Sequence, residues 1–245
     1  MTKRFQCCLW GAALLATPTW MMAAETYRAS GITEPVADIL ISTPVAGIVA
    51  EIKYGEGMFV KSNAVILTLD KRLEELEATR RKVVEDNRKQ DYESTLTVYE
   101  KTKSVSREEV DKKKADYEVA VAEHDTALEQ LSRRQITAPC SGVVAELPLD
   151  VGESCQAYQP VVRLVDTRQC YFVSNVEAKP AGRLKPGQEV KLEIDTTSGT
   201  TALTGKVVFL SPVVDPASGL QKLKVLFDNA DGKVRPGLAG KLLIE

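Results

Sequence analysis

The chain has 245 residues, of which 27% are charged and 44% hydrophobic, and its formal net charge is −2 at pH 7. This composition is that of a folded protein with one to three modest domains. No basic patch with interleaved aromatic residues occurs, so the sequence gives no sign of nucleic-acid binding.

The N-terminus differs from the rest of the chain. Lys3 and Arg4 precede a stretch that stays apolar or small through residue 24. A basic start, an apolar core and a small-residue end are typical of a secretory signal peptide, which we predict over residues 1–24. The alternative is an uncleaved anchor, because residues 7–24 approach the roughly 20 needed to cross a bilayer.

One phrase of twelve residues occurs twice, 95 positions apart. "ISTPVAGIVAEI" begins at Ile41 and "ITAPCSGVVAEL" begins at Ile136, and six of the twelve positions are identical. Glycines recur at matching offsets: Gly47 and Gly57 in the first copy, Gly142 and Gly152 in the second. Two interrupted copies with frequent turn signals predict one small β domain built from two halves, residues 25–70 and 135–166. Within the first half, Gly55 and Gly57 are expected to supply the positive φ of tight turns.

Residues 71–134, between the two copies, contain no Gly or Pro and are rich in helix formers. Ser106 precedes Glu109 by three residues, as in an N-terminal capping box. We therefore predict one helix ending near Lys103, a second starting after Ser106, and an antiparallel hairpin.

Apolar spacing predicts which side chains join the two helices. The second helix is expected to use a heptad seam of Val110, Tyr117, Val121, His124, Leu128 and Leu131. The first carries Leu73, Leu76 and Val83. His124 is the only histidine, and its place on the seam favours a packing role over a catalytic one.

The residues offer no credible catalytic set, no phosphate-binding Gly-rich loop and no metal motif. Three cysteines follow the signal: Cys140, Cys155 and Cys170. Cys140 and Cys155 stand where the first copy has valines, which favours small hydrophobic side chains over a Cys140–Cys155 disulfide, the alternative. Residues 167–245 read as five or six strands separated by turns, which predicts a small closed β-barrel.

This order of parts resembles the periplasmic adaptor subunits of tripartite efflux pumps, the membrane fusion proteins of the HlyD type. The residues that carry the resemblance cover nearly the whole mature chain: "SGITEP" (30–35), "STPVAGIVAEIKYGEGMFVKSNAVILTLD" (42–70), "ITAPCSGVVAELPLDVGESCQAYQPVVRLVD" (136–166), "LKPGQEVKLEID", "LTGKVVFLSPVVDPASG" and "DNADGKVRPGLAGKLLI". It implies a lipoyl-like β-sandwich split by an antiparallel α-helical hairpin and followed by a small β-barrel. The four repeat glycines are then structural glycines of the lipoyl motif.

The resemblance also implies a non-catalytic role without a cofactor. An adaptor would link an inner-membrane transporter, of the RND or ABC type, to a TolC-type outer-membrane channel. It would lie in the periplasm against the inner membrane, as a ring that is a hexamer or a trimer of dimers. Its hairpin tip, Ser104, Val105 and Ser106, would contact the partner.

Two departures qualify this expectation. Adaptors that dock a TolC-type channel often carry Arg and Leu before the tip serine, and this chain has Thr95 and Tyr99 at those positions. Longer adaptors add a membrane-proximal domain after the barrel, which we expect this short form to lack. The alternatives are a periplasmic scaffold of the same fold without a pump, or a lipoyl or biotinyl carrier modified at Lys71.

Overall fold

The computed structural model describes residues 27–197 and 199–244, so the predicted signal peptide lies outside the described residues. Strands and helices follow one another as β1 (Tyr27–Ser42), β2 (Gly47–Ile52), β3 (Phe59–Val60), β4 (Val65–Leu69), α1 (Arg72–Thr102), α2 (Arg107–Ser132), β5 (Gln135–Thr137), β6 (Gly142–Glu146), β7 (Ser154–Cys155), β8 (Pro160–Glu177), α3 (Ala178–Ala181), β9 (Glu189–Thr196), β10 (Gly199–Leu210), β11 (Leu220–Asp228) and β12 (Ala239–Ile244).

The repeated phrases form two matching sheets. One has the strand order β1-β8-β6-β3 and the other β5-β4-β2-β7. The two short strands cross over between the copies: β2 pairs with β7 through Gly47 and Cys155, and β6 pairs with β3 through Gly142 and Val60. These pairs are equivalent under the 95-residue offset, so each half of the repeat completes the other. We call this unit the split sandwich.

The split sandwich has its own apolar core. Fully buried aliphatic side chains from both copies meet between the sheets, among them Val49, Ile66, Leu69, Val144 and Leu164. A half alone would expose this surface to water, which is why the two copies depend on each other despite the 64 residues between them.

Six strands close the second unit, the barrel. Their order is β1-β12-β9-β10-β11-β8, and the pairing of β8 with β1 closes the ring. Phe172 fills the centre, and Cβ atoms at Gly31 and Gly240 would lie 2.7 and 3.1 Å from its ring. Glycine at these positions therefore makes room for one large aromatic side chain.

Strands β1 and β8 belong to both units. Their 16 and 18 residues pair across the barrel and continue into the split sandwich. The register shifts once on the way, between the pairs Pro35–Cys170 and Ala37–Asp166. The two units are thus joined by a continuous two-stranded ribbon with one bulge, and we call this point the junction.

The hairpin helices end where the sequence places them, with α1 stopping at Thr102 and Ser106 capping α2. The seam between them keeps Val110, Tyr117, His124 and Leu131 of the expected residues, and it departs from the expected one at Leu128, which is exposed. On α2 the inward positions alternate by three and four residues through Val110, Lys113, Tyr117, Ala120, His124, Ala127 and Leu131. Ala120 and Ala127 are buried, whereas Leu128 is 43% exposed and Val121 only half-buried.

The expected residues of α1 are also wrong. Leu73, Leu76 and Val83 are 78%, 62% and 56% exposed. Ala78 is the buried residue of α1, and Tyr92 stacks on Tyr117 with ring centroids 6.3 Å apart. Two long helices can approach closely where alanines face each other, and the larger aliphatic residues then remain outside.

Candidate functional site

The hairpin tip lies at the far end of two helices, and the longer one extends about 46 Å at 1.5 Å per residue. Lys103 turns the chain in the left-handed conformation, φ 55°, and its amide donates to the Tyr99 carbonyl at 3.1 Å. Ser106 starts α2 by accepting a hydrogen bond from the Glu109 amide at 3.1 Å. Both helix ends are therefore capped, which gives the short turn a defined shape.

The three predicted tip residues differ in exposure. Ser104 and Ser106 are exposed, and Val105 is half-buried against the turn. The Ser104 hydroxyl donates to the Thr102 hydroxyl at 2.8 Å. The turn presents small hydroxyls around one partly covered valine, a surface that can contact a partner but carries no reactive group.

Thr95 and Tyr99 lie just below the tip and are half-buried. Thr95 donates its hydroxyl to the Asp91 carbonyl at 2.7 Å, and the Lys103 ammonium lies 4.1 Å from the centre of the Tyr99 ring. Both side chains are thus occupied within the hairpin.

An electrostatic network joins the helices near the middle of the seam. The guanidinium groups of Arg80 and Arg81 hold the pKa of Glu77 down to about 2, and Arg81 also reaches Glu123 on α2. His124 Nδ1 lies 2.7 Å from a Glu85 carboxylate oxygen. Lys82 first, and His124 after it, lower the pKa of Glu85. The histidine is a packed, hydrogen-bonded seam residue, as the sequence indicates.

Arg134 fixes the base of the hairpin to the split sandwich. Its guanidinium donates to the Ala46 carbonyl at 2.9 Å and to the Glu74 carboxylate at 2.6 Å. Lys71, the residue considered for lipoylation, lies at the start of α1 and pairs with Glu75 at 2.7 Å. The chain passes from β4 into the helix at this point.

The four repeat glycines serve two purposes. A Cβ at Gly47 would lie 2.8 Å from the Arg134 guanidinium, and one at Gly142 would lie 2.8 Å from the Val165 carbonyl oxygen. Gly57 and Gly152 instead adopt positive φ, 81° and 94°, in open turns. Gly55 does not adopt positive φ, contrary to the expectation from the sequence.

The three described cysteines are free thiols, so the alternative Cys140–Cys155 disulfide is not formed. Cys155 and Cys170 are buried, and Cys140 is half-exposed. Burial raises the pKa of Cys170 to about 11, which keeps this thiol protonated and unreactive.

Residues 27–197 and 199–244 contain no group of three or more His, Cys, Asp or Glu side chains placed to hold a metal ion. Over the same residues, no helix combines the length and apolar character that crossing a membrane requires.

Comparisons with known proteins found a family model and sequence relatives that resemble parts of this chain. Residues 173–245 match the model of the CusB-like β-barrel domain. The solvent efflux pump periplasmic linker SrpA of Pseudomonas putida is 27% identical over 211 residues, 79% of this chain and 54% of that protein. An uncharacterised protein of Haemophilus influenzae is 26% identical over 88% of this chain and 56% of its own length. The chain thus spans about half the length of these curated relatives.

Solved structures share the fold. A chimaera of MacA and MexA that contains the Pseudomonas aeruginosa MexA α-hairpin domain has a TM-score of 0.76 at 17% identity, covering 89% of this chain and 80% of the chimaera. The membrane fusion protein Spr0693 of Streptococcus pneumoniae has a TM-score of 0.69 at 16% identity, covering 89% of this chain and 98% of that protein. The barrel match and the sequence relatives confirm the resemblance to the membrane fusion proteins, the periplasmic adaptors of efflux pumps.

Proposed function

We propose that this protein is a periplasmic adaptor that links an inner-membrane transporter to an outer-membrane channel in efflux. The observation that carries the proposal is the combination of a CusB-like barrel with a capped helical hairpin, held on one β ribbon. The hairpin is a rigid arm that places a small contact surface far from the barrel. Such an arm can hold two partner proteins at a fixed distance and, side by side with copies of itself, enclose a conduit. Neither task needs a catalytic group.

In this proposal the split sandwich is the lipoyl-like domain, with domain boundaries at residues 25–70 and 135–166. The hairpin occupies residues 71–134 and the barrel residues 167–245. The pseudo-symmetric pairing of β2 with β7 and β6 with β3 supports the assignment, because two equivalent halves are what a lipoyl-like sandwich requires. Copies of the chain would form a ring, a hexamer or a trimer of dimers, with the hairpins side by side.

The primary test is cross-linked co-purification of a tagged copy, expressed at its native level, from the cell envelope. Mass spectrometry of the captured proteins should identify an inner-membrane transporter, of the RND or ABC type, together with an outer-membrane channel. Capture of this chain alone would contradict the adaptor role. The intact mass of the purified chain reports signal cleavage and any lipoyl or biotinyl group in the same experiment.

The tip is tested by Ser104→Arg and Val105→Asp. Both changes put a charge on the proposed contact surface, and burying an unpaired charge in an interface is costly. We expect loss of export and at least 10-fold weaker channel capture, with an unchanged thermal unfolding midpoint for the exposed Ser104 variant. Ser94→Arg, on the exposed side of α1, is the matched control and should capture normally. Normal export and capture by both tip variants would exclude this surface.

One observation favours a second candidate function. Thr95 and Tyr99 replace the Arg and Leu that often accompany docking to a TolC-type channel, and both are engaged within the hairpin. A scaffold that kept the adaptor fold without a pump would account for this. Capture of this chain alone, with neither a transporter nor a channel in any cross-linking condition, would favour the scaffold.

A further inference from the structure

One end of the barrel faces away from the split sandwich and carries surface features that the linking of two proteins does not use. Strand directions define this end. β1 begins there at Tyr27, β8 ends there at Glu177, and the β10–β11 hairpin turns there. Buried Ala181 and Leu184 of the α3–β9 connection close the barrel beneath it. We call this end the distal rim.

Cations outnumber carboxylates on the distal rim. Six exposed basic side chains lie there, none with a carboxylate partner among the described residues: Arg28, Lys179, Arg183, Lys185, Lys206 and Lys222. Among the described residues, the carboxylates there are Glu177, Glu189 and Asp215. Asp215 is occupied within its own loop, where it accepts hydrogen bonds from the Ser218 hydroxyl and the Ala217 amide. Over the residues that the structure describes, the rim therefore carries more unpaired positive than negative charge.

Apolar side chains project from the same rim. Val213, at the β10–β11 turn, is 67% exposed, and its neighbours Val214 and Phe209 are exposed as well. The turn is held in shape, because the Val213 amide donates to the Ser211 hydroxyl at 3.1 Å and that hydroxyl donates to the Val213 carbonyl at 2.8 Å. Two valines are thus presented to solvent on an ordered support, next to the cations.

The barrel and the split sandwich differ in the sign of their net charge. The barrel segments, residues 27–35 and 167–244, carry twelve Lys and Arg against eight Asp and Glu. The sandwich segments, residues 37–70 and 135–166, carry three against eight. An anionic surface would attract the barrel end of the molecule and repel the sandwich end, which orients the protein.

We propose that the distal rim docks directly on an anionic phospholipid surface. The basic side chains would lie among the headgroups, and Val213 and Val214 would enter the boundary with the acyl chains, as apolar residues flanked by cations do at membrane interfaces. The first described residue of the chain, Tyr27, lies at the same rim. This contact goes beyond the proposed function, which requires protein partners alone, and it stands on the barrel's own residues.

The test uses the exported chain purified from cells. Vesicles of two compositions are compared: neutral phosphatidylcholine alone, and phosphatidylcholine mixed with anionic phosphatidylglycerol. We expect binding to anionic vesicles that falls with added salt, and little binding to neutral ones. The triple change Lys179→Gln, Arg183→Gln and Lys185→Gln should weaken anionic binding on the order of 100-fold, at about fivefold per cation near the surface. Lys61→Gln, Lys101→Gln and Lys112→Gln together remove three exposed cations elsewhere and should have little effect.

A tryptophan probe tests the apolar part. Trp10 and Trp20 are the only tryptophans and both lie within residues 1–24, so Val213→Trp adds a separate reporter, with the wild-type signal as the baseline. Its emission should shift to the blue with anionic vesicles. Val83→Trp, exposed on the hairpin, should not shift.

Equal binding of wild type to neutral and anionic vesicles would overturn the proposal, as would wild-type affinity in the rim triple variant. An unshifted Val213→Trp emission would overturn its apolar part. If the rim changes instead abolish transporter capture while vesicles never bind, the rim fits an acidic protein surface and the lipid proposal fails. Channel capture through the hairpin tip is independent of all these results.

Discussion

Gly142 lies so close to the neighbouring strand that it has no room for a side chain. Its added Cβ would be 2.8 Å from the Val165 carbonyl oxygen, which belongs to backbone and cannot move aside cheaply. We expect Gly142→Ala to lower the free energy of unfolding by about 1–3 kcal/mol, as overpacking in a core does. Urea denaturation at neutral pH measures it.

Gly55 is the matched control for this change. It belongs to the same repeat, has no atom within 4 Å of an added Cβ, and does not adopt positive φ. Gly55→Ala should be neutral or stabilise by up to about 1 kcal/mol, because alanine reduces the entropy of the unfolded chain. Equal destabilisation by the two changes would show that the close approach of β8 is not what requires glycine at position 142.

The hairpin depends on small residues at its seam rather than on its larger aliphatic ones. Ala127 is 4% exposed, whereas the adjacent Leu128 is 43% exposed. Ala127→Leu should force the helices apart and lower the free energy of unfolding by about 1–3 kcal/mol. The measurement is thermal unfolding followed by the helical circular dichroism signal.

Leu128→Ala gives the opposite expectation at the neighbouring position. A substitution at an exposed position changes the free energy of unfolding by about 0.5 kcal/mol or less. This variant should therefore unfold at nearly the same temperature as the wild type. If Leu128→Ala is costly and Ala127→Leu is tolerated, then the seam passes through the leucine, as the apolar spacing first indicates.

The misassigned seam has a physical cause. Apolar spacing ranks side chains by hydrophobicity, so it favours Leu128 over the adjacent Ala127. In an antiparallel pair the inward face is set by how closely the backbones approach, and Ala120 and Ala127 permit the closer approach. The period and the ends of the helices were predictable because helix formers and the Ser106 cap act locally.

At the scale of the whole molecule, the barrel and the split sandwich are held together at the junction. Asp166, almost buried there, accepts hydrogen bonds from the Arg168 amide and guanidinium, at 3.1 Å from the amide and 2.7 Å from the closer guanidinium nitrogen. The Arg168 guanidinium also lies over the Phe59 ring. The backbone carbonyl of Arg168 accepts a hydrogen bond from the backbone amide of Asn229. One arginine thus contacts residues of both units.

Arg168 lowers the pKa of Asp166 below its ordinary value of about 4. The stability that this carboxylate contributes is therefore present above about pH 4 and lost as the pH falls through the lowered pKa. Asp166→Asn should be less stable than wild type at pH 7, and the difference should shrink toward pH 2.5. Denaturation of both proteins at the two pH values measures the change, and a difference that is the same at pH 7 and pH 2.5 would mean that the ionised carboxylate contributes nothing to stability.

The sequence by itself determined the order of the parts: a repeated β phrase, a Gly- and Pro-free helical insertion, and a strand-rich C-terminal segment. These features are local, because turn glycines, helix caps and apolar runs act on their near neighbours along the chain. The repeat also predicted that residues far apart would complete one domain.

The tertiary structure alone decided how distant segments meet. It placed Gly47 against Arg134, which fixes the hairpin base, and it carried β1 and β8 unbroken through both units. It brought Arg28, the 179–185 connection and the 211–219 turn to one end of the barrel. These contacts join residues as far apart in the chain as Tyr27 and Ile244, so they follow from strand pairing and barrel closure, which no local pattern specifies.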